Sequence, residues 1–269
     1  MVRRASGTSW FARTLTIVAA GVVLAAAAAC GEKQPKLPAV GSADADKFLY
    51  DRGMASLEKK KWVESREYFK KLIETYPQSQ YRADAKLGVG DSYLGERHAE
   101  SYVLGVNEFK EFLQYFPLNP RADYAQYKIC EAGSKQMLSP ERDQTATRDA
   151  LRECDAFLQN FPTSSFRPQV ETVRREARDR LSESEFQVGL TYFHLKWWAG
   201  AISRLTQLVK DDPGYSKMDA VYFYLGESYY RALSEAQAVP NYNKVIEDYP
   251  KSEYVARAKA RLATIKIKH

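Results

Sequence analysis

Cysteine and histidine are scarce in this sequence, with three of each among 269 residues. No two cysteines form a CxxC pair, and His98, His194 and His269 lie far apart along the chain. Structural and catalytic zinc sites use cysteine and histidine ligands, commonly at short spacings. The sequence therefore predicts neither a metal site nor a cofactor.

The short motifs of common hydrolases and nucleotide-binding enzymes are also missing. There is no GxSxG turn for a serine nucleophile, no HExxH helix and no glycine-rich phosphate loop. Each of these motifs places a reactive group in a defined structural context. Their absence leads us to expect that the protein is not an enzyme.

An excess of charge of one sign is lacking as well. The formal net charge is +6, and the first 29 residues hold three arginines and no acid, which leaves +3 for the rest. Such a mild excess does not favour nucleic-acid binding. Long apolar runs are limited to Leu15–Ala29, which is shorter than the roughly 20 residues that a membrane-spanning helix needs.

The N-terminus has the features of a cleavable export signal over residues 1–29. Three arginines precede the apolar run Leu15–Ala29, and small residues lead to Cys30 and Gly31. A cysteine at that place resembles the lipobox of bacterial lipoproteins, although Ala27 stands where the usual box has leucine. The resemblance implies that Cys30 carries diacylglycerol and an N-acyl chain. A plain secretory signal with an incidental cysteine is the alternative.

The other two cysteines, Cys130 and Cys154, are 24 residues apart. An exported protein enters an oxidising compartment, where disulfides persist. The sequence favours two free buried thiols and leaves a disulfide open as the alternative.

Proline-containing breaks divide the rest of the chain into helical stretches with apolar residues every three or four positions. Proline ends a helix because it lacks an N–H group and restricts the residue before it. Ser or Asn follows two residues later in four of the five breaks and is predicted to cap the next helix. The five prolines are 40, 45, 51 and 37 residues apart, a period typical of a solenoid. They are Pro77, Pro117, Pro162, Pro213 and Pro250.

The units between these breaks resemble tetratricopeptide repeats. The fifth repeat fits best, with Gly226 as the small residue of the first helix and Ala238, Tyr242 and Pro250 in the second half. Small residues allow two antiparallel helices to approach closely, and stacking of neighbouring hairpins buries their apolar faces. The third repeat fits worst, because Cys154 replaces the aromatic residue and about ten extra residues separate its helices.

The predicted fold class is therefore all-α, a tetratricopeptide-repeat solenoid of about five helix hairpins with a C-terminal capping helix and a concave binding face. We expect a signal peptide at 1–29, a lipidated flexible tether at 30–43 and repeats 1–3 at 44–165. Residues 166–269 are predicted to hold a junction helix, repeats 4–5 and the capping helix. The junction helix is expected to run without a break over residues 167–196.

Three stretches of this repeat array are similar to the BamD family, the lipoproteins of the outer-membrane β-barrel assembly machine. They are the opening at 48–53, the repeat-3 insertion at 141–148 and the junction segment Asp179–Leu181. Asp212 departs from the family pattern, since an aromatic residue usually precedes that proline. The resemblance implies a lipid-anchored assembly factor of the outer membrane that faces the periplasm. Its implied partners are BamA, the other assembly-machine lipoproteins and unfolded outer-membrane barrel proteins, with no nucleic acid.

Two sets of site residues are predicted. The resemblance implies that Arg180 contacts BamA, and Arg178 of the same arginine cluster and Trp197 are expected to join that contact. Tyr50, Tyr81 and Tyr93 are candidates for a substrate-peptide groove in repeats 1 and 2, although most aromatic residues at repeat positions are expected to be core.

The alternative for the arginine cluster at 174–180 is a solvated helix face, on which Arg175 would serve as a neutral control for Arg180. Helix geometry separates neighbouring side chains by about 100°, so one of Trp197 and Trp198 is predicted to be core and the other exposed. The alternative function is another envelope tetratricopeptide lipoprotein, pilotin-like or a coordinator of peptidoglycan synthesis.

Overall fold

The computed structural model describes residue 42 and residues 44–267, with side chains through residue 265. The predicted signal peptide, Cys30 and nearly all of the tether lie outside these residues. Contacts divide the chain into two compact units, residues 1–45 and 46–269. The described part of the first unit consists of Ser42, Asp44 and Ala45, and the second unit holds the helical repeats.

The described residues form eleven helices and no strand, which confirms the all-α prediction. In chain order these are α1 (Ala45–Glu58), α2 (Trp62–Thr75), α3 (Arg82–Glu96), α4 (Ala99–Tyr115), α5 (Ala122–Ser134), α6 (Thr145–Asn160), α7 (Arg167–His194), α8 (Trp198–Asp211), α9 (Met218–Arg231), α10 (Glu235–Asp248) and α11 (Val255–Ile267). Consecutive pairs are antiparallel hairpins, with the second half of α7 serving as the first helix of repeat 4. None of the described helices is long and apolar enough to cross a membrane.

The Ser and Asn residues after the proline breaks form turns just ahead of the next helix, but they are not the helix caps that the sequence predicts, because the N-cap residues are Tyr81, Arg121 and Phe166. The hydroxyl oxygen of Ser79 accepts a hydrogen bond from the N–H of Tyr81 at 3.1 Å, and the amide oxygen of Asn119 accepts one from Arg121 at 2.8 Å. Ser164 and Ser252 repeat this geometry two residues ahead of their own donors. These bonds satisfy N–H groups that have no partner inside the next helix.

The register of the repeats is confirmed at the closest approach of each hairpin. A small residue on the first helix faces a large residue on the second, and a Cβ added to the glycine would lie 2.5 to 2.9 Å from that side chain. The four pairs are Gly53–Phe69, Gly90–Phe109, Gly189–Leu205 and Gly226–Tyr242. Every one of these large residues except Tyr242 is a hydrocarbon side chain, and all four are fully buried.

Repeat 3 uses a different contact at the same place. Cys130 on α5 and Cys154 on α6 form a disulfide with their Cα atoms 4.9 Å apart, and both are fully buried. The interpretation of two free thiols was therefore wrong. The reason is the register, because Cys130 occupies the small-residue position and Cys154 the large-residue position, where the two helices come nearest.

The turns within the hairpins also follow the register. Each places a residue with φ near +60° seven positions after its glycine, and these residues are Lys60, Arg97, Lys196 and Leu233. Repeat 3 has a longer connection instead. The side-chain amide of Gln144 organises that loop by donating to the carbonyls of Ser139 at 2.7 Å and Arg142 at 3.0 Å.

Helix α7 links the two groups of hairpins and is continuous from Arg167 to His194, as predicted. Its first half packs against α6, and its second half packs against α8. The boundary at residue 165 between the two predicted domains stays a prediction, although residues 46–269 form one compact unit.

Candidate interaction sites

The three tyrosines predicted to form a groove all pack against the hydrophobic cluster of repeat 1. Tyr50 and Tyr81 stack on each other with ring centroids 5.0 Å apart. The ring of Tyr93 lies 4.2 Å below the guanidinium of Arg66, and its hydroxyl oxygen accepts a hydrogen bond from Lys70 at 3.2 Å. The structure thus pairs Tyr50 with Tyr81 and engages Tyr93 separately with two cations.

A cavity of about 760 Å³ opens among repeats 1 to 3, between the end of α1, the last turns of α3 and the face of α5. Trp62, Tyr102 and Tyr124 contribute aromatic rings to its lining, while Arg97 and Lys135 contribute exposed cations. None of the three predicted groove tyrosines lines this cavity. A cavity with aromatic walls and a few polar groups is the usual form of a ligand site.

Buried charges organise the cavity floor. The hydroxyl of Tyr124 donates a 2.7 Å hydrogen bond to Asp91, and burial raises the pKa of Asp91 above its ordinary value despite this bond. Lys128 pairs with Glu131 at 2.7 Å. Burial alone would lower the pKa of Lys128, but the bond and charge of Glu131 outweigh burial and raise it. The floor charges therefore satisfy one another and leave the cations at the rim to meet a ligand.

The repeat register carries a signal for this floor that the sequence analysis missed. Asp91, Glu131 and Glu227 each directly follow the small residue of their first helix, and the same register in repeat 1 holds Met54. In repeat 5, Glu227 accepts hydrogen bonds from Tyr242 at 2.8 Å and from Arg261 of α11. At this register Asp91 accepts a hydrogen bond from Tyr124 of the next hairpin, and Glu227 accepts hydrogen bonds from Arg261 of α11.

The arginine cluster on α7 is tied to the repeats around it and is not a uniformly solvated face. Arg175 donates two hydrogen bonds to Asp212, at 2.9 and 2.5 Å, and a third to Asp179 at 3.0 Å. The side chain of Asp212 is only 7 % exposed. Arg175 neutralises a buried carboxylate and so supports the fold, which makes it unsuitable as a control for Arg180; its effect on partner binding stays a prediction.

This ion pair explains the departure of Asp212 from the repeat pattern. Asp212 caps the end of repeat 4 by accepting bonds from Arg175 and from the hydroxyl of Ser182. Burial opposes ionisation, but these bonds prevail and hold the pKa of Asp212 below its ordinary value. An aromatic residue here would leave Arg175 without its partner.

Arg178 and Arg180 differ from the residues just described. Arg180 donates one hydrogen bond, at 2.8 Å, to the carbonyl of Leu138 in the repeat-3 loop, which orients its guanidinium. Arg178 forms no ion pair with the residues that the structure describes, although its charge lowers the pKa of Asp212. Both side chains are partly exposed. The two arginines lie on one turn of α7, but side chains two positions apart on a helix diverge by about 200°. Arg180 reaches the repeat-3 loop, whereas the charge of Arg178 acts on Asp212, so the structure does not bring their side chains together.

Trp197 lies apart from this pair. It follows the end of α7, and its N–H bonds to the carbonyl of Tyr192, which places it about 20 Å from Arg180 along the helix axis at 1.5 Å per residue. It is 58 % exposed. Trp198 is half-buried against Phe193 with ring centroids 5.4 Å apart. The prediction that one tryptophan of this pair is exposed is confirmed by Trp197, but Trp198 is only half-buried and is not a core residue.

The described residues contain no group of three or more histidine, cysteine or carboxylate side chains that could hold a metal ion. The functional features are thus a cavity among repeats 1 to 3, an arginine pair on α7 and exposed apolar turns. All three are candidate interaction surfaces.

Comparison with known proteins identifies a family. The sequence model of the YfiO family, described as outer membrane lipoprotein, matches residues 42–238. The chain is 26 % identical over 218 residues to the outer membrane protein assembly factor BamD of Caulobacter vibrioides, covering 81 % of this chain and 70 % of that protein. It is 26 % identical over 215 residues to BamD of Rickettsia prowazekii, covering 78 % and 82 %.

A solved tetratricopeptide structure from yeast Sti1, in complex with an Hsp90 peptide, has 14 % identity and a TM-score of 0.49 over 84 % of this chain and 85 % of its own. Because the family match covers well over half of the sequence and extends from the first described residues into repeat 5, the chain belongs to the YfiO family of outer membrane lipoproteins.

Proposed function

We propose that this protein is an outer-membrane protein assembly factor, a lipid-anchored, non-catalytic scaffold that binds BamA and recognises incoming β-barrel proteins. The observation that carries the proposal is the family match across residues 42–238, on a stack of helix hairpins whose distinctive features are binding surfaces. Depletion of the protein in its own host should lower the amounts of folded β-barrel proteins in the outer membrane. Unchanged porin levels after depletion would rule this function out.

The anchor is proposed to be Cys30, which follows an apolar run and small residues at the end of the export signal. Several acyl chains on one residue hold a protein on a bilayer stably, whereas a single chain does so only marginally. Anchoring on the outer membrane would place the repeats in the periplasm. Cys30→Ser should abolish fatty-acid labelling and release the protein from the membrane fraction, and persistent labelling would exclude this site.

BamA is proposed to dock on Arg178 and Arg180. A guanidinium forms two hydrogen bonds with one carboxylate, and the Leu138 carbonyl already orients Arg180. Trp197 lies about 20 Å further along α7 and stays a predicted contact of the same partner. Both arginines are partly exposed, so water can reach the site.

The docking test is binding of purified BamA to the Arg180→Glu variant. We expect a loss of about 1 kcal/mol if the pair lies at the rim of the interface and about 2–5 kcal/mol if it is shielded from water. Arg180→Ala should cost less than Arg180→Glu, because the glutamate adds repulsion. The control is Arg152→Glu on α6, an exposed arginine that pairs with Asp149 of its own helix. Equal binding by Arg180→Glu and the control would disprove the docking site.

The substrate is proposed to enter the cavity among repeats 1 to 3. Its aromatic walls fit an aromatic side chain, and Arg97 and Lys135 at the rim fit the carboxylate at the end of a chain. Tyr50, Tyr81 and Tyr93 belong to repeats 1 and 2 and remain predicted contacts for a longer peptide. The terminal strand of a barrel protein combines these two chemistries when it ends in an aromatic residue.

This proposal is tested by crosslinking a barrel-protein C-terminal peptide to a photoreactive residue placed at Tyr102 or at Tyr50. Strong crosslinks at Tyr102 are expected, and amidation of the peptide C-terminus should weaken them because the carboxylate charge is lost. A matched photoreactive residue at Leu118, which is exposed in a turn of the same repeat, is the control. Crosslinks confined to the control position would exclude the cavity.

A further inference from the structure

Two hairpin turns in repeats 4 and 5 expose large apolar side chains. Leu195 and Trp197 flank the turn between α7 and α8, and they are 69 % and 58 % exposed. Leu233 stands in the turn between α9 and α10 and is 88 % exposed. Isolated exposed apolar residues are ordinary on protein surfaces, but three on two adjacent turns form a patch.

The backbone at Leu233 argues that its side chain is not there for folding. Its φ is +59°, a left-handed conformation that L-residues other than Asn and Asp adopt at a cost. The corresponding residues of repeats 1, 2 and 4 are Lys60, Arg97 and Lys196. A leucine in this conformation gains almost no burial within the fold, so the benefit of its apolar side chain must come from a contact outside it.

The two turns lie at the same end of their hairpins. Helices α7 to α10 run alternately up and down, and α9 packs against both α8 and α7. Neighbouring packed helices are about 8–10 Å apart. The turns α7–α8 and α9–α10 are therefore adjacent, and a single flat surface can contact both.

The charges at these turns are basic. Lys196 lies between Leu195 and Trp197, and Arg231 precedes Leu233 by two residues. Neither cation has an ion pair among the residues that the structure describes. Glu235 is the one carboxylate within two residues of either turn, and it is already engaged in an interaction.

Apolar side chains interspersed with unpaired cations are typical of protein segments that lie on a membrane surface. Tryptophan favours the boundary between head groups and acyl chains. Lysine and arginine are attracted to anionic lipids near the surface. If the partner of the patch were a protein surface of mixed charge, there would be no reason for both unpaired charges, Lys196 and Arg231, to be positive.

We infer that Leu195, Lys196, Trp197, Arg231 and Leu233 form a membrane-contact patch that binds the surface of a bilayer containing anionic phospholipid. The leucines and Trp197 enter the head-group boundary, while Lys196 and Arg231 meet lipid phosphates. The patch is separate from the arginine pair on α7 and from the cavity among repeats 1 to 3. It acts in addition to the proposed acyl anchor and would orient the C-terminal repeats relative to the membrane.

The test uses the chain from residue 31 onward, which lacks Cys30 and therefore any acyl chain. Residues 46–269 form a compact unit with hydrophobic clusters of its own, so this chain keeps the fold. Binding is measured by flotation with vesicles of phosphatidylethanolamine and phosphatidylglycerol, and with vesicles of phosphatidylcholine alone. We expect binding to the anionic vesicles that weakens at high salt, since salt screens exposed charges.

The variant is Leu233→Asp combined with Leu195→Asp, and the matched control is Leu118→Asp, which changes a 95 % exposed leucine in a turn of repeat 2. We expect the double variant to bind the anionic vesicles about tenfold or more weakly, because about 1.4 kcal/mol corresponds to a factor of ten and burying one leucine contributes at least that much. The control should bind like the wild type. Circular dichroism of the variants confirms that their helices are intact.

Brominated lipids give a second readout, because they quench a tryptophan that enters the bilayer. Quenching should be lost in Trp197→Phe and retained in Trp62→Phe. Equal vesicle binding by the wild type and the double variant would overturn the inference. So would a double variant that loses BamA binding and keeps vesicle binding, since the patch would then be a protein interface. Loss of vesicle binding with BamA binding retained supports the patch and leaves the docking proposal to its own test.

Discussion

The bond between Arg175 and Asp212 offers the sharpest test of how the repeats are joined. Arg175 lies on the junction helix, and Asp212 ends the second helix of repeat 4, 37 residues later. Arg175→Ala removes two hydrogen bonds to a carboxylate that is 7 % exposed. Ser182 remains as a donor to that carboxylate.

The loss of stability in Arg175→Ala is set by the cost of leaving the buried Asp212 carboxylate without its cation. Removing one partner of a buried ion pair costs about 3–5 kcal/mol. The side chain of Arg175 is itself 41 % exposed, so water replaces part of the lost contact. We therefore expect a loss of about 2–3 kcal/mol, which lowers the melting temperature by about 4–12 °C for a domain of this size. Thermal unfolding followed by circular dichroism measures the shift.

Acidification provides an independent check of the same pair. In the wild type the pKa of Asp212 is held below its ordinary value of 3.8. A carboxyl group with a lowered folded pKa stabilises the protein above its unfolded pKa, and this contribution is lost as pH falls through the folded value. In Arg175→Ala, burial without the guanidinium raises the pKa, so protonation relieves the variant. The stability difference between the two proteins should shrink as the pH falls below about 4.

Arg174→Ala is the matched control, because the adjacent Arg174 pairs with Asp155 where both side chains are nearly half exposed. Such surface pairs contribute about 0–1 kcal/mol. A melting temperature of Arg175→Ala equal to that of Arg174→Ala, with no dependence of the difference on pH, would refute the assigned role of Asp212.

Two further stability predictions concern the hairpin contacts. Gly226→Leu should lower the free energy of unfolding by about 1–3 kcal/mol through overpacking. A Cβ at this position already lies 2.9 Å from the Tyr242 ring, whose hydroxyl is bonded to Glu227. An unchanged urea midpoint would contradict the register. Cys154→Ala should cost about 3 kcal/mol, since the disulfide closes a loop of 24 residues. Reduction should destabilise the wild type alone, and equal midpoints with and without reductant would show that the bond does not form.

Much of the fold follows from local features of the sequence. Helix periodicity and proline breaks act within a few positions of each other, so helices such as α7 and the breaks between them were predictable. The pairing of Gly226 with Tyr242 was predictable too, because the same 16-residue offset separates Gly53 from Phe69 and Gly189 from Leu205. In repeat 2 the offset is three residues longer, which matches the extra residues at that turn.

Tertiary structure alone decided several contacts between residues far apart in the sequence. The sequence could not show that Cys130 meets Cys154, since the extra residues of repeat 3 hid the fact that Cys130 occupies the small-residue position opposite Cys154. It also could not show that Arg175 finds Asp212, or that the groove tyrosines fill the repeat-1 cluster while Tyr102 and Tyr124 line the cavity. The disulfide depends on which residues meet inside one hairpin, and the other contacts depend on how one hairpin stacks on the next. Both are set by summed packing across helices that no local pattern encodes.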